Sequence, residues 1–217
     1  MIPDALRAKR QAMQAQAFDR IGARYEEAFP RKEGQLAATE WLIERLPAGA
    51  RVLDVGCGTG LPSARRFVDA GFEVTGIDIS EEMLQLARSN VPGAKLLRLD
   101  VVDADRSLGP FDAIVDFFSL LMLPRAEILT TLGKLRDLLE PGGYFALSMV
   151  EEDLDDAPIA FLGSPVRVTG YPRGELRSIV TDAGFEVLEL KSLAYNPWSA
   201  EAWPEIQLFL HCRKDDH

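Results

Sequence analysis

The sequence predicts an α/β fold built on a doubly wound, largely parallel sheet. Three observations carry this. Short β-rich runs alternate with helical segments from Arg51 onward, a glycine turn follows the first run, and the last two runs lie too close together for a parallel crossover.

The elements follow in order. Apolar and alanine positions recur with helical spacing from Asp4 to Arg24, and Pro30 interrupts them. A second helix reads through Gly34 to Leu46, where Pro47 and Gly49 end it. Arg51 to Val55, Glu73 to Asp78, Lys95 to Asp100 and Phe111 to Phe117 are β-rich, each closing on a turn or an acidic residue. Leu61 to Ala70 and Ser80 to Asn90 between them are helical. Ser80 stands as N-cap of the second, with Glu81 and Glu82 in the first turn and Met83, Leu84 and Ala87 on one face.

Arg125 to Leu139 is a further helix, closed by Glu140, Pro141, Gly142 and Gly143, and Tyr144 to Val150 is a fifth strand. Glu151 to Asp156 reads as an acidic surface loop on the way to the next helix, Gly174 to Ala183. Gly184 turns the chain into the last two strands, Phe185 to Lys191 and Glu205 to Arg213. Ser192 to Pro204 between them has no helical period, and a parallel crossover needs roughly a dozen residues and usually a helix, so these strands are expected to be antiparallel.

The 217 residues are 47% hydrophobic, enough for one well-buried domain. No run of about eighteen apolar residues occurs, and Met1 to Ala17 lacks the apolar stretch of a signal peptide, so a cytoplasmic location without membrane contact is expected. Cys57 and Cys212 are the only cysteines, which supports neither a disulfide framework nor a zinc site. A net charge of −10 without a basic stripe argues against a nucleic-acid partner. Oligomeric state is left open.

After Val55 come Gly56, Cys57, Gly58, Thr59 and Gly60, then a helix, so the backbone turns sharply and can approach a ligand. In open α/β sheets the binding crevice lies beyond the carboxyl ends of the strands, where the strand order reverses. The dinucleotide pattern G-x-G-x-x-G fails in both registers, since its last glycine would fall on Leu61 or Ser63. Asp54, just before the turn, would repel a pyrophosphate but suits a cationic amine.

These residues carry a resemblance. Val52 to Gly60 resembles the first motif of class I S-adenosylmethionine-dependent methyltransferases, and Val74 to Ser80, with Asp78, resembles their ribose-binding second strand. Leu99 and Asp100 resemble the adenine-side motif, and Leu139 to Gly143 the leucine-x-proline-glycine-glycine turn. The match runs from Arg51 to Val150 and more loosely through Gly184 and Phe185. It implies a Rossmann-like sheet of seven strands with an antiparallel last strand. It further implies a helical cover at 1–48, a cofactor-binding core at 49–150 and an acceptor-side half at 151–217.

The resemblance implies S-adenosyl-L-methionine as cofactor, held by Tyr25, Asp54, Gly56, Cys57, Gly58, Gly60, Asp78, Ile79, Met83, Asp100, Val101 and Phe117. Each has a plainer alternative where the residues allow one. Asp54 could cap the following turn, Asp78 could serve the helix starting at Ser80, and Asp103 or Asp105 could replace Asp100. Met83 could be ordinary core, and Cys57 a small packed side chain whose backbone alone meets the ligand. Asp112 is expected to be structural.

Methyl transfer to a small-molecule nitrogen, oxygen or carbon by in-line displacement is the implied reaction, with positioning as the main requirement. No asparagine-proline-proline-aromatic run and no metal-binding carboxylate set is present, so the acceptor is not named. Phe118, Tyr195, Trp198 and Trp203 are the expected acceptor contacts, because large aromatics gather in a connection that needs none. If the acceptor needs a base, Tyr25, Asp116 or a residue of the loop after Ser192 is the candidate. His211 should be carried away from the ligand edge and His217 is terminal. A non-catalytic S-adenosylmethionine-binding regulatory subunit is the alternative reading, and a nicotinamide dehydrogenase the third.

Overall fold

The computed structural model describes residues 4–215. Three helices come first: α1 (Asp4–Ile21), α2 (Arg24–Ala28) and α3 (Glu33–Ile43). Then β1 (Arg51–Val55), α4 (Ser63–Asp69), β2 (Glu73–Asp78), α5 (Glu81–Asn90) and β3 (Lys95–Arg98) alternate. They are followed by β4 (Phe111–Phe117), α6 (Arg125–Asp137) and β5 (Leu139–Val150). A hairpin of β6 (Leu154–Phe161) and β7 (Ser164–Gly170) precedes α7 (Arg173–Asp182), β8 (Phe185–Tyr195) and β9 (Glu205–Lys214).

The main sheet has the order β3-β2-β1-β4-β5-β9-β8. β1 pairs in parallel with β2 and β4, and β5 in parallel with β4, whereas β9 runs antiparallel to both β5 and β8. The expected seven-stranded sheet with an antiparallel last strand is therefore present. The order reverses between β2–β1 and β4, which opens a crevice at their carboxyl ends.

Helices cover both faces, so the central strands are apolar on both. Val52, Val74, Ala113, Val115 and Ala146 pack with Leu42 of α3 and Phe67 of α4. Leu53, Val55, Ile77, Ile114 and Phe145 pack with Leu132 and Leu135 of α6 and Leu176 and Val180 of α7. Alternate residues thus enter different layers, as the two-residue period of a strand requires. Ser80 caps α5 as expected, its Oγ accepting the Met83 amide at 3.1 Å.

Four expectations need correction. The loop expected at Glu151–Asp156 gives way at Leu154 to the β6–β7 hairpin, a separate two-stranded sheet. Its two-residue turn, Leu162-Gly163, takes positive φ at both positions (48° and 73°), a conformation usually announced by Asn-Gly. Leu162 holds it instead by burying its side chain among Ile21, Phe29, Met83 and Tyr195. β3 ends at Arg98, because Asp100 leaves the sheet to cap the short helical turn Val101–Asp103, its Oδ1 accepting the Val102 amide at 3.0 Å. β5 begins at Leu139, which pairs with Phe111 before pairing resumes at Ala113 and Tyr144, so the Pro141–Gly143 turn lies inside the strand as an irregularity. β8 continues to Tyr195, paired with Glu205; Ser192, Leu193 and Ala194 are all exposed, so no alternation marks this part of the strand. Among the described residues no helix is long and apolar enough to cross a membrane.

Candidate functional site

A cavity of about 390 Å³ opens at the carboxyl ends of β1, β2 and β4, and α1, α2, β6, β7 and the start of β9 close it from the far side. The glycine turn forms its floor. A Cβ on Gly56 would lie 2.3 Å from that of Ser119, whereas one on Gly58 would meet nothing within 4 Å. Gly56 is thus a packing glycine, and Gly58, at φ +52°, presents bare backbone to the cavity.

Asp78 ends β2 beside it. Its Oδ2 accepts the Gly58 amide at 2.9 Å and its Oδ1 accepts the Ser80 amide at 2.8 Å. The plainer reading, service to the start of the helix at Ser80, is met, and each oxygen keeps a second lone pair for a ligand donor. Burial raises its pKa, while the amides of Ser80, Gly58 and Ile79 oppose that. Of the three aspartates near β3, Asp100 alone lines the cavity. Asp103 instead pairs with Arg7, and Asp105 accepts the Ser107 amide in an exposed turn. Ile79, Met83 and Val101 line the same end, and Met83 is also core, at 2% exposure.

Asp54 lines the cavity while nearly buried. Burial, then the neighbouring Asp116 and Asp78 charges, push its pKa up to about 8, with the Ala64 amide and Lys32 pulling the other way. A ligand cation beside it would restore its charged form. Burial raises the Cys57 thiol well above its usual value, and the side chain packs against Gly76, so only its backbone suits a ligand.

Asp116 does not line the cavity. It is fully buried, and its Oδ1 accepts the amides of Ser119 and Leu120 at 3.1 and 3.0 Å, holding the turn after β4. Its expected role as a base is therefore corrected to a structural one. Phe117 and Phe118 do line the cavity. So does Tyr25, stacked on Phe29 at 5.1 Å. Burial, then the Glu205 and Glu26 charges, push its phenol far above the usual value, so it keeps its proton and suits a lid contact rather than a base.

The aromatic cluster before the last strand divides. Tyr195 is buried and stacks on Phe29 at 5.7 Å, and Trp203 reaches the cavity while 78% exposed. Trp198 is 71% exposed and lies off the cavity, its backbone amide donating to the Ala28 carbonyl. Its expected acceptor contact is corrected: the chain passes the rim there with the indole outward. His211 lies off the cavity as expected, stacked on Trp41 at 4.4 Å and bonded to Glu189 at 3.0 Å; His217 lies outside the described residues.

The structure adds residues that sequence reasoning missed. Glu26 of α2 accepts from Lys32 Nζ with both oxygens at 2.8 Å and from Thr59 Oγ1 at 2.6 Å, while Lys32 also donates to the Leu61 carbonyl at 2.9 Å. This clasp fastens the helical cover to the glycine turn. Glu205, Gln207 and Gln35 supply polar groups at the opposite end, and Leu154, Ile159, Phe161 and Val168 of the hairpin supply an apolar wall. Glu205 begins a predicted strand at the ligand edge and Gln207 follows on the same face, while no local signal marks the others. Among the described residues no group of three or more potential metal-ligating side chains is gathered.

A family model described as a methyltransferase domain matches residues 13–190. The ubiquinone biosynthesis O-methyltransferase of Thiobacillus denitrificans is 28% identical over 197 residues, covering 81% of this chain and 83% of its own. That of Xanthomonas axonopodis pv. citri is 31% identical over 180 residues, covering 75% and 74%. Among solved structures, the Burkholderia thailandensis 1,6-didemethyltoxoflavin-N1-methyltransferase is similar with a TM-score of 0.73 at 23% identity. That match covers 100% of this chain and 92% of that one, which has 1,6-didemethyltoxoflavin and S-adenosylhomocysteine bound.

Proposed function

We propose, from the premise that the chain belongs to the methyltransferase-domain family and moves the methyl group of S-adenosylmethionine to a small molecule, that the acceptor is a phenolic hydroxyl on an aromatic ring. The observation that carries this reading is the shape of the cavity's far wall. Phe29, Phe161 and Tyr195 form a continuous aromatic surface, with Phe118 on the β4 side of the same cavity. Flat rings stack well on such walls. The curated relatives named above are O-methyltransferases, which favours oxygen over nitrogen.

The residues present fit the cofactor. Asp78 would accept from the ribose hydroxyls with its remaining lone pairs, and Asp54 would face the ammonium group. Asp100 would meet the adenine edge, with Ile79, Met83 and Val101 against its faces. Gly56, Cys57, Gly58 and Gly60 would contribute backbone, and Tyr25 and Phe117 would cover the donor. On this reading the described residues of 1–48 form the cover, 49–150 hold the donor and the described residues of 151–217 shape the acceptor side of one domain. S-adenosylmethionine supplies a methyl group already activated by a sulfonium. The protein's part is to hold the acceptor oxygen about 3 Å from it and in line. A dry, apolar site also favours dispersal of the sulfonium charge.

The test is release of S-adenosylhomocysteine with a panel of catechols, other phenols and aromatic amines. Turnover of phenols with methylation at oxygen is expected. Turnover of amines alone would overturn the phenolic reading.

A further inference from the structure

A protonated acceptor must lose its proton as the new bond forms, and the cavity offers few places for it. Asp54, Asp78 and Asp100 lie at the donor end, each engaged by a backbone amide. Glu26 is held by Lys32 and Thr59. Tyr25 and Tyr195 have phenols whose pKa burial raises further, so they hold their protons. Glu152 is exposed at the rim. Neither His211 nor Asp116 lines the cavity.

Glu205 remains. It is the first residue of β9, the strand that begins at the ligand edge, and it is half-buried on the cavity wall. Its Oε1 accepts from Gln207 Nε2 at 2.7 Å, and Gln207 is itself buried, so the carboxylate is held in one orientation. Its Oε2 has no protein partner among the described residues. We propose that Glu205 is the proton acceptor for the methylated hydroxyl, with Gln207 as the residue that positions it.

The step balances. The acceptor oxygen forms a bond to the methyl carbon, the carbon–sulfur bond breaks with its electron pair going to sulfur, and the hydroxyl proton passes to Oε2 of Glu205 and then to solvent. Tyr25 of α2, Tyr195 of β8 and Gln207 of β9 interact with Glu205, and Glu26 of α2, Arg31 and Lys32 before α3 and Glu152 after β5 are the other charged groups of the cover and the rim that line the same cavity. Burial raises the Glu205 pKa against the opposing bond from Gln207, which brings a carboxylate closer to working pH and makes it a better base there. A raised pKa means that the base form is lost as pH falls through a value above the ordinary carboxylate range.

This inference rests on the phenolic reading, and E205Q separates the two. Glutamine can still accept from Gln207, so the fold and S-adenosylhomocysteine affinity by calorimetry should be unchanged. With catechol, kcat should fall about 10²- to 10⁴-fold, the range for a lost general base, and the acid-side inflection of the wild-type pH profile should disappear. With 4-nitrocatechol, ionised at neutral pH, most of that loss should vanish, which a merely structural role would not produce. Equal kcat for E205Q and wild type on catechol, or an equal loss on both acceptors, would overturn the proposal. If only amines are methylated, the phenolic reading fails, and the same comparison on a protonated amine decides the role of Glu205.

Discussion

The amide of Gly58 donates to Oδ2 of Asp78 at 2.9 Å, joining the bare turn after β1 to the carboxylate that ends β2. The turn and the carboxylate are therefore one unit. Asp78→Ala removes the proposed ligand acceptor and also leaves the Gly58 and Ser80 amides without this side-chain partner. A charge-assisted hydrogen bond contributes about 1.5–3 kcal/mol, so S-adenosylhomocysteine should bind roughly ten- to a hundredfold more weakly by calorimetry. Unchanged affinity would remove Asp78 from the donor site.

Cys57 owes its place to the missing side chain of Gly76. A Cβ on Gly76 would lie 2.9 Å from Cys57 Sγ and 2.8 Å from Leu96 Cδ2. Gly76→Ala should therefore destabilise the protein by about 1–3 kcal/mol, the usual range for overpacking. Cys57→Ala in the same chain should return part of that loss, a coupling that denaturation of the two single variants and the double variant measures. Strict additivity would mean that the two do not compete for space.

Much of this architecture was legible because it is local. β1 and β4 are buried on both faces and read as apolar runs, and the glycine turn with Asp54 and Asp78 lies within a short span. The β6–β7 hairpin was not, since Pro158 and two adjacent aspartates interrupt β6, and Leu162 occupies a turn position that Asn normally marks. The Glu26–Lys32–Thr59 clasp arises from packing of the cover on the glycine turn, which no spacing reveals, whereas Glu205 and Gln207 share a face of β9 by the strand period and only the packing shows that this face meets the cavity. Trp198 misled for the converse reason, because an aromatic in a connection can lie on the surface without a ligand.

The clasp should control access to the donor site. Glu26→Gln removes the charge that Lys32 meets in a largely buried setting, and leaves Thr59 Oγ1 a weaker partner. Dissociation of S-adenosylhomocysteine should accelerate several-fold, and amides of α2 should exchange faster with solvent. Unaltered dissociation and exchange would show that the cover is held by its apolar contacts alone.

Asp116 should make the free protein's stability depend on pH. Burial raises its folded pKa to about 7, whereas an unfolded aspartate titrates near about 3.9. The neutral form is favoured in the folded state, so this stabilisation is full below the unfolded value and is lost as pH rises through the folded one. Asp116→Asn keeps an oxygen for the Ser119 and Leu120 amides and cannot ionise. Its melting temperature relative to wild type should rise between pH 5 and pH 8. A constant difference across that range would mean that Asp116 titrates normally.

The donor is assigned to the bare backbone of Gly58, and calorimetry of S-adenosylhomocysteine with wild type and Gly58→Ala tests that placement. The protein leaves that Cβ free space within 4 Å. The left-handed backbone costs the substituted residue about 1–2 kcal/mol, too little to unfold the domain. Wild type should bind, and Gly58→Ala, with an unchanged far-ultraviolet circular dichroism spectrum, should bind at least tenfold more weakly. Equal dissociation constants for the two proteins would place the donor elsewhere and contradict the assignment.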